Sequence, residues 1–129
     1  MSVIIDTTGS VQVSGGPILP VVNTFTVDAY DLVEVAIEAA AKDIEVQIQP
    51  GGSGQVQLLV ITADRYDKKL TYKVNSKTST DIVMLDAPQI FLGTGAVELL
   101  SAAPTKLFFS NDLAEDASIK ILVGRDATP

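Results

Sequence analysis

Ile44, Val46 and Ile48 alternate with Glu45, Gln47 and Gln49, and this period of two is the feature that most limits what the chain can fold into. Side chains two apart share one face of a strand, so the run reads as a strand with one side buried. PGGSG (50–54) then supplies turn residues, and QVQLLVIT resumes the apolar pattern through Val56, Leu58, Val60 and Ile61, which predicts a hairpin. ADRYDKK reads as the next turn, and LTYKV, with Leu70, Tyr72 and Val74 on one side, as a strand continuing a meander. DIVML (81–85), QIFLG (89–93), KLFFS (106–110) and SIKILVG (118–124) are further short strands, bounded by Pro88, Gly93, Pro104, Asn111 or Gly124. Strands at this spacing predict an all-β chain, an antiparallel β-sandwich or jelly roll.

Two segments admit more than one reading. In YDLVEVAIEAAAKD, Asp31 and Glu34 have the spacing of a capping box, and Leu32, Val35, Ala36, Ala39 and Ala40 would share a helical face. The same residues from Val33 to Glu38 alternate with their β-branched members on one side, which favours a strand. AVELLSAA (96–103) fits one helical turn or a strand.

At 129 residues the chain is the size of one ordinary domain. Hydrophobic residues make up 47% of it, yet no uninterrupted apolar run approaches the roughly 18–20 residues of a membrane helix. The apolar surplus therefore goes into a core or onto a partner. MSVIIDTTGS lacks the basic start and long apolar run of a secretory signal, so synthesis and residence in a cytosol are expected.

Cysteine, histidine and tryptophan are absent. Without Cys and His the usual nucleophile and base partnerships and thiolate metal sites are missing, so neither enzymatic activity nor a cofactor or metal is expected. Charge is unevenly placed: residues 1–60 hold seven acids against Lys42 alone, whereas 64–77 carries Arg65, Lys68, Lys69, Lys73 and Lys77 against Asp64 and Asp67. A formal net charge of −7 argues against nucleic acid as a partner. The basic segment, read as a hairpin, is either a solvated face or a contact for an acidic protein surface, with Arg65, Lys68, Lys69 and Lys73 as its candidate interface residues.

Motifs that would carry chemistry fail on their own requirements. FLGTGAVELL has Gly93 and Gly95, but the third small residue of a dinucleotide fingerprint is replaced by Glu98, so a glycine turn is expected. PGGSG could form an anion nest, although a turn needs the same glycines. NDLAEDAS offers Asn111, Asp112, Glu115 and Asp116 without the alternating spacing that wraps a calcium ion. Glu34 and Glu38 would pair as catalytic carboxylates only if they shared a helical face.

SGGPILPVVN (14–23) places Ile18, Leu19, Pro20, Val21 and Val22 among glycines and prolines that oppose a regular element. It reads as a strap against a partner or as a cover for one end of the chain's own sandwich. The expected organisation is an extended amino-terminal arm over 1–20 and one β-sandwich domain over 21–129, with the arm dispensable for folding and needed for binding.

An all-β core, an apolar amino-terminal arm, no Cys or His, and a short tail (VGRDATP) after a last strand (SIKILVG) together resemble small structural virion proteins of tailed bacteriophages, of the capsid decoration or cement type. That resemblance implies a homo-oligomer, often a trimer, bound to the major capsid protein or another virion protein on the outer shell, with no nucleic acid and no membrane contact. A carbohydrate- or protein-binding module of a tail or fibre, a tail-tube or head-completion protein, and a hydrolase are the other readings.

Overall fold

The computed structural model describes residues 2–49, 54–101 and 103–127. Its amino-terminal strands are β1 (Val3–Thr7), β2 (Ser10–Gln12), β3 (Ile18–Pro20) and β4 (Asn23–Val27). The body follows as β5 (Ala29–Ile37), β6 (Ile44–Gln47), β7 (Gly54–Ala63), β8 (Leu70–Val74), β9 (Val83–Met84), β10 (Gln89–Leu92), the single helical turn α1 (Thr94–Val97), β11 (Lys106–Asn111) and β12 (Ala117–Ala127). YDLVEVAI is thus a strand, and the segment after Gly93 opens with a helical turn.

The body strands form two antiparallel sheets in the orders β5-β12-β7-β10 and β6-β11-β8-β9. Successive strands from β5 to β8 change sheet each time, and β11 and β12 return to the middle of their sheets, which is the double Greek key of a jelly roll. Period-two sequences supply the core: Ala117, Ile119, Ile121 and Val123 of β12, Leu107 and Phe109 of β11, and Leu70 and Tyr72 of β8 all point between the sheets and are buried. The Tyr72 and Phe109 rings, cross-strand partners, stand 5.4 Å apart.

The expected hairpin between residues 44–49 and 55–62 does not exist, nor does the meander through LTYKV. β6 pairs with β11, β7 with β12 and β10, and β8 with β11 and β9, so β6 and β8 lie in the sheet opposite β7 and the connection 64–69 is an arch between sheets. Side-chain alternation reports which face is buried and is indifferent to which strand lies alongside. Buried Gln49, just after β6, ties that strand end to its neighbours: its side chain donates to the Pro104 carbonyl at 2.7 Å and accepts from the Gly54 N–H at the start of β7 at 2.8 Å. Residues 50–53 of the PGGSG turn lie outside the described residues.

The near-continuous apolar run of β7 has a second cause. Leu59 and Ile61 face the sandwich core, while Leu58 and Val60 face the opposite side and pack under a third layer formed by β1 and β4. A register shift against Gly124 and Arg125 inserts Gln57 as an extra residue and turns Val56 into the core. Gly124 gives the ribbon room here: a Cβ would stand 2.6 Å from Leu58 Cδ2 and 3.0 Å from Ile5 Cδ1, so those side-chain ends would have to move.

Among the described residues the buried polar side chains Gln49, Asn111 and Arg125 all have hydrogen-bond partners. Asn111 is buried and donates to the Ile37 and Glu115 carbonyls while accepting from the Leu113 N–H. Tyr72 is fully buried, its hydroxyl donates to Gln89 Oε1 at 2.6 Å, and burial pushes its phenol above the ordinary value. A proton held more tightly in the folded state gives stability that is complete below the unfolded value of about pH 10 and is lost as pH rises past it. Alkaline unfolding followed by circular dichroism is therefore expected to set in above about pH 10, and Tyr72→Phe to flatten that dependence relative to its own stability at neutral pH. An unchanged alkaline slope in the variant would remove Tyr72 from the account.

Candidate interaction surface

The amino-terminal strands build one long ribbon. β1 pairs with β4 from Val3↔Val27 to Thr7↔Asn23, and β2 with β3 from Ser10↔Pro20 to Gln12↔Ile18. The Val21 N–H donates to the Gly9 carbonyl at 2.8 Å between the two ladders, and the register continues without a slip. The tip closes where the Val13 N–H reaches the Pro17 carbonyl at 3.0 Å, with Gly15 at φ 72°. Gly15 and Gly16 thus make a hairpin turn, and the segment whose glycines and prolines oppose a regular element nevertheless contains strand β3. Both strands of a ribbon are edges, where the missing N–H of Pro20 is tolerated.

The two halves of the ribbon differ in what lies beneath them. In the base, Phe25 and Val27 are buried with Leu58, and Val3 and Ile5 join them against Val60, Leu92 and Leu122. In the distal half every residue from 9 to 20 is exposed. The span 1–20 therefore holds a docked strand and a projecting hairpin, and β1 contributes a strand pair that its sequence did not announce.

Strand alternation divides the predicted arm residues. Val11 and Leu19 are direct cross-strand partners on one face, with Val13 beyond them toward the tip. Ile18 pairs with Gln12 and Pro20 with Ser10 on the other face. Exposures of 64% for Val11, 62% for Val13, 60% for Ile18, 66% for Leu19 and 69% for Val22 leave these side chains uncovered, while Val21 is half-buried near the base. Sequence reading missed Val11 and Val13, although the VQVSGGPIL pattern around a glycine turn was the signal for them.

The basic residues do not form the predicted hairpin. Arg65 lies in the arch between β7 and β8, where its guanidinium pairs with Glu115 and its Nε lies 3.8 Å from Asp64 Oδ1. Lys73, on the outer face of β8, pairs with Asp43 at 3.2 Å and donates to the Lys77 carbonyl. Lys68 and Lys69 are exposed in the turn leading into β8. Half of the expected patch is thus neutralised within the chain.

Other candidates are structural in their surroundings. Glu34 lies on the outer face of β5 with Lys120 3.9 Å away, and Glu38 follows the strand end, so the shared helical face does not form. Gly93, at φ 90°, precedes α1 and its N–H bonds to the Gln57 carbonyl. Asn111 and Asp116 of NDLAEDAS tie loops together, Asp116 accepting from the Ala39 N–H at 2.9 Å. Among the described residues no three His, Cys, Asp or Glu side chains converge to hold a metal. An open groove of about 520 Å³ crosses the outer sheet face over Glu34, Thr62, Ser118 and Lys120 and contains no aromatic side chain. Neither a protein-family model, a curated protein nor a solved structure matches the chain.

Proposed function

We propose that this chain is a structural virion protein of the capsid decoration or cement type, which attaches to the outer surface of a shell and stabilises it. The observation that carries this reading is the projecting ribbon, whose Val11, Val13 and Leu19 are exposed while the same ribbon's base is packed. An apolar, conformationally defined projection binds a partner surface without needing a pocket. The jelly roll adds general support only, since that architecture occurs in capsid proteins and in lectins alike. A sugar-binding module is less well supported, because the groove offers no aromatic platform for a sugar face.

The test is co-sedimentation with purified shells that lack the protein. Wild type is expected to bind, and replacing residues 8–22 by a tight turn is expected to weaken binding by at least about tenfold, whether the ribbon touches the shell or joins copies that bind together. Lys68→Glu with Lys69→Glu is expected to weaken it further at low salt than at high salt. Absence of binding by the wild-type protein would overturn the reading.

A further inference from the structure

The ribbon has a matching seat on its own molecule, in a place its own distal half does not cover. Cross-strand partners run Leu32↔Leu122↔Val60↔Ile90 across all four strands of the β5-β12-β7-β10 sheet, on its outer face. Leu122 and Val60 are half-buried beside the ribbon base, whereas Leu32 and Ile90 at the two ends of the row are 58% and 56% exposed. We propose that the distal ribbon of one copy docks by its Val11, Val13 and Leu19 face onto this row of a second copy. The proposal rests on the ribbon being an interaction element, and it names the occupant.

Three observations select a second copy. First, the chain already packs this ribbon on this sheet face: Ile5 and Phe25 of the base sit with Leu58, and Val11 and Leu19 continue the same alternation along the same register. The distal face is the extension of a face whose complement is the outer sheet. Second, no charged residue occurs between Asp6 and Asp28 in a chain of net charge −7. Two such bodies repel, and a neutral ribbon meeting a neutral row is the contact that avoids this repulsion. The polar neighbour of the row, Glu34 with Lys120, is itself balanced. Third, the sizes agree: a row across four strands is about 14 Å long, and five residue levels of ribbon span about 13 Å. Donor and acceptor are different surfaces, so the contact closes either reciprocally in a dimer or head-to-tail in a ring.

The experiment uses the full chain with Leu19→Asp as a ribbon variant and Ile90→Asp as a row variant, both at exposed positions, with Leu32→Asp as a second row variant. Sedimentation velocity at micromolar concentrations is expected to show wild type associating and each variant weakened by at least about tenfold, with melting at high dilution unchanged. Mixing Leu19→Asp with Ile90→Asp is expected to restore a heterodimer, because one variant keeps an intact row and the other an intact ribbon. A monomeric wild type, or variants that fail to associate on mixing, would overturn the proposal. Were Leu19→Asp to abolish shell binding while wild type stays monomeric, the occupant would be the shell and only this inference would fall. Complementation without any shell binding would instead keep this inference and remove the virion reading.

Discussion

Removing residues 1–20 is expected to lower the unfolding midpoint by roughly 10–20 °C, whereas joining Thr7 to Asn23 through a two-residue turn in place of 8–22 leaves it within a few degrees. The truncation takes away β1 with Val3 and Ile5, strips β4 of its partner strand, and exposes Phe25, Val27 and Leu58 to water. Complete burial of side chains of this size is worth about 1.5–3 kcal/mol each, so even partial loss across the cluster amounts to about 3–5 kcal/mol. That is a large part of the stability of an ordinary domain. The turn replacement keeps the cluster and, apart from the half-buried Val21, deletes only side chains that are already exposed. Thermal melts of both proteins at high dilution make the comparison; a truncation that melts like wild type would mean the ribbon base contributes nothing to the fold.

Asp31→Ala is expected to destabilise the chain by about 3–5 kcal/mol. Arg125 donates from Nε to Asp31 Oδ2 at 3.1 Å, and their side chains are only 9% and 13% exposed. Removing the carboxylate strands a guanidinium that is largely shut off from water, and the uncompensated charge is costlier than the pair itself was worth. Replacing both residues together, Asp31→Leu with Arg125→Met, is expected to recover much of the loss for the same reason. Denaturant titrations at constant slope measure both effects. A single variant within about 1 kcal/mol of wild type would show that water reaches Arg125 freely.

What was legible before the structure was burial, strand by strand. LTYKV announced that Leu70, Tyr72 and Val74 share one side, KLFFS and SIKILVG announced strands without a side, and the alternation of VEVAI outweighed its helical spacing because Val33, Val35 and Ile37 complete one inner face of β5. What was not legible was partnership. A strand carries the same period of two beside any antiparallel neighbour, and closing a longer loop costs little more than closing a short one. The apparent hairpin at 44–62 thus gave way to pairing of β6 with β11, some sixty residues distant.

Residue order alone dictates that these residues form short strands with one or two apolar faces, that their core contains neither Cys nor His, and that a neutral segment runs from Thr7 to Val27 between Asp6 and Asp28. Packing in three dimensions settled that Val56 shares the core with Leu59 while Leu58 faces the ribbon, since that depends on a bulge at Gln57 and on a ribbon laid over Gly124. It also decided that Leu19 shares a face with Val11 rather than with Ile18, because a turn at Gly15 folds two stretches of chain into one register. Local alternation is a property of the strand alone; a binding face is a property of two strands and of whatever does or does not lie beneath them.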